Sequence, residues 1–323
     1  MHTHTLLIGT GKIIHDVVVL GELTIERPRL CNPAKLEATV STGQGFEPQL
    51  GDTVSLYQGA TRRLFTGIIF EITPEPEKRE ARILAYCQMR YLKNKETYVI
   101  EGQRLDQVLA MIAADFRLRT GKLPNTGYVI PSLVADAKTL ADTLQQCIDE
   151  TYQHTGHAYA IHDDGSGLLQ LKRADAAFVN HLIAADTCTG VDYSISIDGE
   201  TYNRVKLYRE NKESGRREIY QAQDSSTMNR WGVLQLLEKV DENVNAQVKA
   251  DTQLRLYNQP QRRLGIKGLI GHPDIWGGSL LPVDLTVDDT ALRGQLMVEK
   301  ATHRIKDGHH TVDLALIGGG FSA

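Results

Sequence analysis

The chain has 323 residues, enough for two or three modest domains that each bury a core. Its 36 basic and 40 acidic residues leave a net charge of −4, so no basic excess points to nucleic acid and no cationic stripe to an anionic membrane. The opening stretch "MHTHTLLIGTGKIIHDVVVLGEL" lacks a positive leader, and Gly, Lys, His and Asp break its apolar positions. Neither a signal peptide nor a membrane span is expected from it. Cys31, Cys87, Cys147 and Cys188 are widely spaced with no CxxC pair, which suits a reducing cytoplasm and argues against a disulfide framework.

Short strands are expected over the first hundred residues. "GDTVSLY" alternates Val54 and Leu56 inward with Thr53, Ser55 and Tyr57 outward, "RLFTGIIFEI" follows a Gly-containing turn, and "ARILAYC" puts Ile83, Ala85 and Cys87 on one face. Pro74 and Pro76 in "TPEPEKRE" mark a hairpin tip, since proline cannot sit in a central strand. The period then changes: Leu105, Val108, Leu109, Ile112 and Phe116 form one stripe of an amphipathic helix ending before Gly121. A second helix starts at Thr139, with Asp142 three residues on as in a capping box, and carries the stripe Leu140, Leu144, Cys147 and Ile148. Strands return from Thr201, with "YNRVKLY" and "REIYQAQ" flanking the turn-rich "RENKESGR". Ala246, Ala250, Leu254 and Tyr257 mark a further helix closed by "NQPQ". The chain finishes on strands, the last with Val312, Leu314 and Leu316 on one face.

The fold class expected is therefore mainly β with an α+β insertion. Its parts are a β domain over 1–100, an α/β insertion with two helices and a hairpin over 101–190, and a second β domain with one inserted helix over 191–323. The order of elements in "GDTVSLY…LFTGIIFEITPEPEKREARILAY" repeats in "GGSLLPVDL…LRGQLMVEKATHRIKDGHHTVDLAL": a Gly-led strand, a longer strand, a polar tip and a closing strand. On pattern alone this is either a duplication or the general likeness of any two antiparallel meanders.

Several stretches invite a chemical reading. "TYQHTGHAYAIHDDG" gathers His154, His157 and His162 beside Asp163 and Asp164. Local structure divides them, however. His154 belongs to the last turn of the Thr139 helix, where a histidine suits the negative end, and Gly156 supplies a left-handed cap. "HAYAIH" reads as a strand with His157, Tyr159 and Ile161 on one face and His162 on the other, and "DDGSG" as a turn. No metal is expected. "GTGK" at Gly9–Lys12 is too short for a phosphate loop and is followed by Ile13 rather than Ser or Thr. His303, His309 and His310 in "THRIKDGHH" flank a "KDG" turn and read as solvated hairpin histidines. Asp163–Asp164 and Asp288–Asp289 read as turn residues that hydrogen-bond locally, and Arg62–Arg63 and Arg262–Arg263 as a solvated face. No GxSxG, HExxH or DxDxDG pattern occurs. Catalytic residues, metal ligands and cofactors are all expected to be absent.

Across most of its length the chain resembles the XkdQ-like family, the central hub proteins of contractile-tail baseplates in prophages and phage-derived bacteriocins. The resemblance is carried by "GDTVSLY", "LFTGIIFEI", "KNKETYVIEG", "TGKLPNTGYVIPS", "HTGHAYAIHDD", the long run from "TYNRVKLY" to "EKVDENVN", and "MVEKATHRIKDGHHTVDLAL". Gly51 and Asp52 of the first stretch and Gly67 of the second form its turn-and-strand motif. Such hubs are similar to the base of type VI secretion spikes. The resemblance implies a non-enzymatic homotrimer in which each chain gives two related tube-type barrels, so that a pseudo-sixfold ring joins a hexameric tail tube to a trimeric spike. It implies as partners the tube, spike and neighbouring baseplate proteins and the tape-measure protein in the lumen, with DNA passing but not specifically bound and no membrane insertion. The implied location is the virion tail baseplate, assembled in the bacterial cytoplasm. Tyr128, Tyr152 and Trp231 are candidate interface residues, because aromatics dominate interface energetics. A tail-associated cell-wall hydrolase and a glycan-binding module using residues 100 to 190 are the alternatives; neither has a site constellation in the sequence.

Overall fold

The computed structural model describes residues 4–43, 45–210, 216–240, 245–287 and 290–317. Asp288–Asp289, the middle of "RENKESGR" and the "GGGFSA" tail lie outside them. The chain starts with strands β1 (His4–Thr10), β2 (Ile13–Val17), β3 (Val19–Pro28), β4 (Lys35–Ser41), β5 (Thr53–Gln58), β6 (Arg62–Glu75), β7 (Glu80–Tyr86) and β8 (Lys95–Gln103). The middle of the chain holds α1 (Leu105–Asp115), β9 (Ile130–Thr139), α2 (Leu140–Thr155), β10 (Tyr159–Asp163), β11 (Leu169–Arg173), β12 (Ile183–Ala184) and β13 (Gly190–Ser196). Next come β14 (Arg204–Glu210), β15 (Arg217–Gln223), α3 (Ser225–Trp231), β16 (Gln235–Lys239) and α4 (Ala246–Tyr257). The last strands are β17 (Gln261–Ile270), β18 (Leu280–Val287), β19 (Thr290–Lys306) and β20 (His309–Ile317). Of the described residues 53% are strand and 19% helix, so the fold is mainly β with a few helices.

One sheet dominates, in the order β13-β17-β20-β19-β3-β4-β7-β6-β5-β1-β2, with β18 on β19 and β12 on β18. Among the described residues no closed barrel is found. The two stretches with matching element order, β5-β6-β7 and β18-β19-β20, are both antiparallel meanders, and in both the middle strand is bulged, between Ile69 and Glu71 and between Val298 and Lys300. They lie in the same sheet, joined through β3 and β4.

The period-two signals place side chains as expected. Val54 and Leu56, Ile83, Ala85 and Cys87, and Val312, Leu314 and Leu316 are all buried. The α1 stripe Leu105, Val108, Leu109 and Ile112 and the α2 stripe Leu140, Leu144, Cys147 and Ile148 share one hydrophobic cluster with Ile8, Leu36, Phe65 and Ile83 of the sheet. Thr139 caps α2 by accepting from the Asp142 amide, and Gly156 ends it at φ 70°. The four cysteines are free.

Four local expectations are corrected. Pro74 is not at the tip but within β6, opposite Ala81. The pairing of β5 with β6 stops at Ile68, so the missing amide of Pro74 faces no second strand. The turn itself is residues 76–79 and contains Pro76. His157 is exposed and precedes β10, which begins at Tyr159. His303 is only 1% exposed, because "KDG" narrows to a two-residue turn at Asp307 (φ 51°) and Gly308 (φ 76°) and alternation then points His303 into the core. Finally, residues 191–323 hold not one helix but α3 as well as α4; α3 carries no apolar stripe in the sequence and is held by its cap, Asp224, which accepts from Ser226 and Thr227.

The chain divides into two compact units, residues 1–192 with 264–323, and residues 193–263. The first contains the helices α1 and α2 and both meanders. In the second, β15-β14-β16 form a three-stranded sheet, and Ala246, Ala250 and Leu254 of α4 pack on Val205, Leu207 and Ala222.

The tightest backbone approach in the β5-β6-β7 meander is at Gly67. A β-carbon there would fall 2.4 Å from the Tyr86 carbonyl and 2.7 Å from the Phe65 ring. Gly67→Ala is expected to destabilise the protein by about 1–3 kcal/mol through overpacking, read from the urea midpoint. A midpoint unchanged from the parent would refute this.

Candidate functional site

A cluster of buried polar groups lies in the first unit around the loop 271–279 between β17 and β18. Polar groups taken out of water must find partners, so what a buried cation meets indicates what it holds in place. Arg27 on β3 is buried, and its guanidinium donates to the Pro273 carbonyl at 3.0 Å and to the Leu64 carbonyl of β6. Burial lowers its pKa, and the nearby Asp163 opposes that. Beside it Arg62 pairs with Asp274. The Gly277 amide donates to the Arg27 carbonyl at 3.1 Å and the Gly278 amide to Val298 at 2.7 Å. A β-carbon at Gly277 would fall 2.3 Å from the Arg29 amide nitrogen, so the loop can lie this close to β3 only with glycine there.

Histidines complete the junction. His303 donates from Nε2 to the Ile275 carbonyl at 2.8 Å, which leaves Nδ1 to accept from His310 Nε2 at 3.0 Å. His162 on β10 stacks on Trp276 with ring centroids 3.8 Å apart and an 11° interplanar angle. Burial pushes His162 down to about 3, His310 down to about 4, and His303 well below the ordinary imidazole value. All three are therefore neutral partners. Burial also pushes the Asp163 carboxyl up to about 6, against the amides of Gly165 and Gly167 that donate to its Oδ1. A cleft of 530 Å³ opens here, lined by Arg27, His162, Asp163, Lys172, Asp274 and Trp276 among others.

The bonds of this arrangement run largely to backbone carbonyls, those of Leu64, Pro273 and Ile275. Burial raises the Cys31 and Cys147 thiols to about 12 and raises Cys87 further. Among the described residues no three metal-ligating side chains converge. Asp163 and Asp164 bond the turn that follows them, Asp164 Oδ1 accepting from Ser166 at 2.8 Å. Gly9–Lys12 form the β1-β2 hairpin, with Gly9 opposite Ile14.

The candidate interface aromatics lie on different elements. Tyr128 is half-buried and stacks on His154 at 4.1 Å, Tyr152 is 54% exposed on α2, and Trp231 ends α3 in the second unit, half-buried. Gly51 and Asp52 bond Ile69 of β6, and Gly67 of the same strand lies opposite Val54. Gly51 has φ 92° and its amide donates to Ile69, while buried Asp52 accepts from Thr10 Oγ1 at 2.8 Å and from the Gln49 amide at 2.9 Å. The motif thus joins β1, β5 and β6. The Arg27 junction has no such local signature. Its trace in the sequence is "GHPDIWGG", a Gly- and Pro-rich loop that nonetheless carries Ile275 and Trp276, both buried.

The YQBQ-like family description matches residues 23–317. The chain belongs to the YQBQ-like family. It is 31% identical over 309 residues to phage-like element PBSX protein XkdQ of Bacillus subtilis (strain 168), covering 93% of each chain. This YQBQ-like chain also shares its fold with the 43 kDa tail protein of prophage MuSo2 from Shewanella oneidensis, at TM-score 0.70 and 13% identity over 97% of this chain and 98% of that one. A further fold match is the E. coli c3393 protein, described as a type VI secretion component structurally similar to the T4 tail proteins gp27 and gp5. It gives TM-score 0.54 and 10% identity over 97% of this chain and 77% of that one.

Histidines held neutral make the junction sensitive to acid. Their folded pKa values lie below the unfolded value of about 6.5, so their contribution is complete above that pH and is lost as pH falls toward about 4. Asp163, shifted to about 6, works in the opposite sense, but it is one group against three. Unfolding free energy is expected to fall between pH 6.5 and pH 4.5, and His310→Gln to reduce the slope. A slope unaltered by that substitution would show that the His303–His310 pair is not its source.

Proposed function

We propose that this protein is the structural hub of a contractile-tail baseplate, a homotrimer that adapts a hexameric tail tube to a trimeric central spike. The observation that carries the reading is the end-to-end fold match to a prophage tail protein, together with two bulged antiparallel meanders in one chain. Two related units per chain in three copies give six similar positions around a threefold axis. The divisions 1–100, 101–190 and 191–323 then correspond to a tube-like barrel, an outward segment and a second tube-like barrel, the barrels completing their walls in the ring. The protein is not an enzyme in this reading, and it works in the virion baseplate after assembly in the host cytoplasm.

Its partners are a second and third copy, the tube protein on one face, the spike on the other, neighbouring baseplate proteins at the outward segment, and the tape-measure protein in the lumen. The likeness of the c3393 fold to gp27 and gp5 supports the spike side. A net charge of −4 suits a lumen that passes DNA without holding it. Tyr128 and Tyr152, near α2, are the proposed contacts of the outward segment, and Trp231 that of the later one.

Electron-microscopy class averages of the purified protein are expected to show threefold particles with a rim that looks sixfold. Protein that stays monomeric at high concentration and joins neither tube nor spike protein would rule the hub out.

A further inference from the structure

In the second unit α4 covers one face of the three-stranded sheet. Residues Val205, Leu207 and Ala222 alternate toward α4, which sends their neighbours to the opposite face. On that face Ile219 is 55% and Leu237 58% exposed. Ile219 lies directly across from Tyr208, Tyr208 across from Lys239, and Leu237 across from Lys206. The three side chains Ile219, Tyr208 and Leu237 therefore run as an apolar diagonal over all three strands. Large exposed side chains in such a row mark an interaction surface rather than scattered surface apolars.

The charges around the diagonal are one-sided. Among the described residues Arg204, Lys206, Arg217 and Lys239 are on the same face, and the one acid there is Glu210, bonded to Lys239 at 3.0 Å and near Arg217 at 3.5 Å. Four cations less one anion leave +3, in a chain whose total is −4. Two such faces placed together would set like charges opposite each other, so the face does not suit its own copy. A single-stranded nucleic acid would need free aromatic faces for base stacking. Here the Arg217 guanidinium already lies 5.0 Å from the Tyr208 ring centroid, and two aliphatic side chains occupy the centre.

We propose that the open face of β15-β14-β16 docks an acidic polypeptide segment that presents apolar side chains to Ile219, Tyr208 and Leu237 and carboxylates to the surrounding cations. An apolar centre with a charged rim is the anatomy of a protein interface. The inference concerns a surface within the second unit and does not depend on the hub reading.

The test uses the full chain and a fluorescent twelve-residue peptide of alternating glutamate and leucine, with fluorescence anisotropy at pH 7. Saturable binding is expected, weakened about tenfold or more by Leu237→Asp and unchanged by Val248→Asp on the outer side of α4. The double variant Lys206→Glu, Lys239→Glu is expected to lose the glutamate–leucine peptide and gain the lysine–leucine one, a swap that unfolding would not produce. Absence of saturable binding, equal loss in Val248→Asp, or no swap would overturn the proposal. So would tighter binding of a twelve-nucleotide oligothymidylate, or self-association of the chain abolished by the same substitutions.

Discussion

The pairing of Leu23–Pro28 with Lys300–Ile305 is the constraint on which the larger unit depends. Residues so far apart in the chain make no local contribution to each other's conformation, and bringing them together costs chain entropy before any hydrogen bond forms. Once made, the pairing turns two meanders into one sheet and removes two edges that would otherwise be open to stray strands. Arg27 lies within this paired segment, and its guanidinium bonds to carbonyls of both the early strand β6 and the late loop. A buried cation whose donors are taken up by fixed carbonyls tolerates little displacement, because any shift leaves charge unpaired in a medium that does not solvate it.

The remaining polar groups of the junction follow the same logic. His303 and His310 satisfy each other and the Ile275 carbonyl only in the neutral form, and His162 stacks flat on Trp276 where a charged ring would be poorly solvated. Together the contacts tie the 271–279 loop to β3, β10, β19 and β20, the last through the Gly271 amide donating to the His310 carbonyl at 2.9 Å. Glycine at 277 allows the loop to lie against the β3 backbone. The loop is thus a clasp, and its rigidity comes from bonds to many elements rather than from strength in any one.

How much of this was legible in the sequence depends on the distance over which each feature is determined. Val54 and Leu56, the α2 stripe, Thr139 as a cap and Gly156 as a stop are set within a few residues of themselves, and the sequence shows them directly. The duplicated order of strands was visible, but whether the strands form one sheet or two barrels is decided by β3 and β19, which carry no local mark of each other. His303 illustrates the same limit. Its neighbours read as a polar tip, and its burial follows from how tight the turn at Asp307–Gly308 is and from what lies beneath the strand. The histidines and acids of "TYQHTGHAYAIHDDG" were separable by helix, strand and turn, yet nothing near His162 in the chain foretold Trp276.

The two units differ in where they place their charge, and this bears on their work. In the first, the junction groups are turned inward: Arg27 is spent on backbone carbonyls and the histidines are neutral, so the cluster contributes geometry and little field. In the second, cations stand on an uncovered sheet face beside exposed aliphatic side chains, where they can steer and retain a partner. A buried guanidinium bonded to fixed carbonyls favours a single arrangement of the elements it joins. An accessible apolar surface can receive a different component, and charge of one sign around it repels a like-charged copy. The separation of these roles into two compact units lets the docking face vary without disturbing the pairing on which the sheet depends.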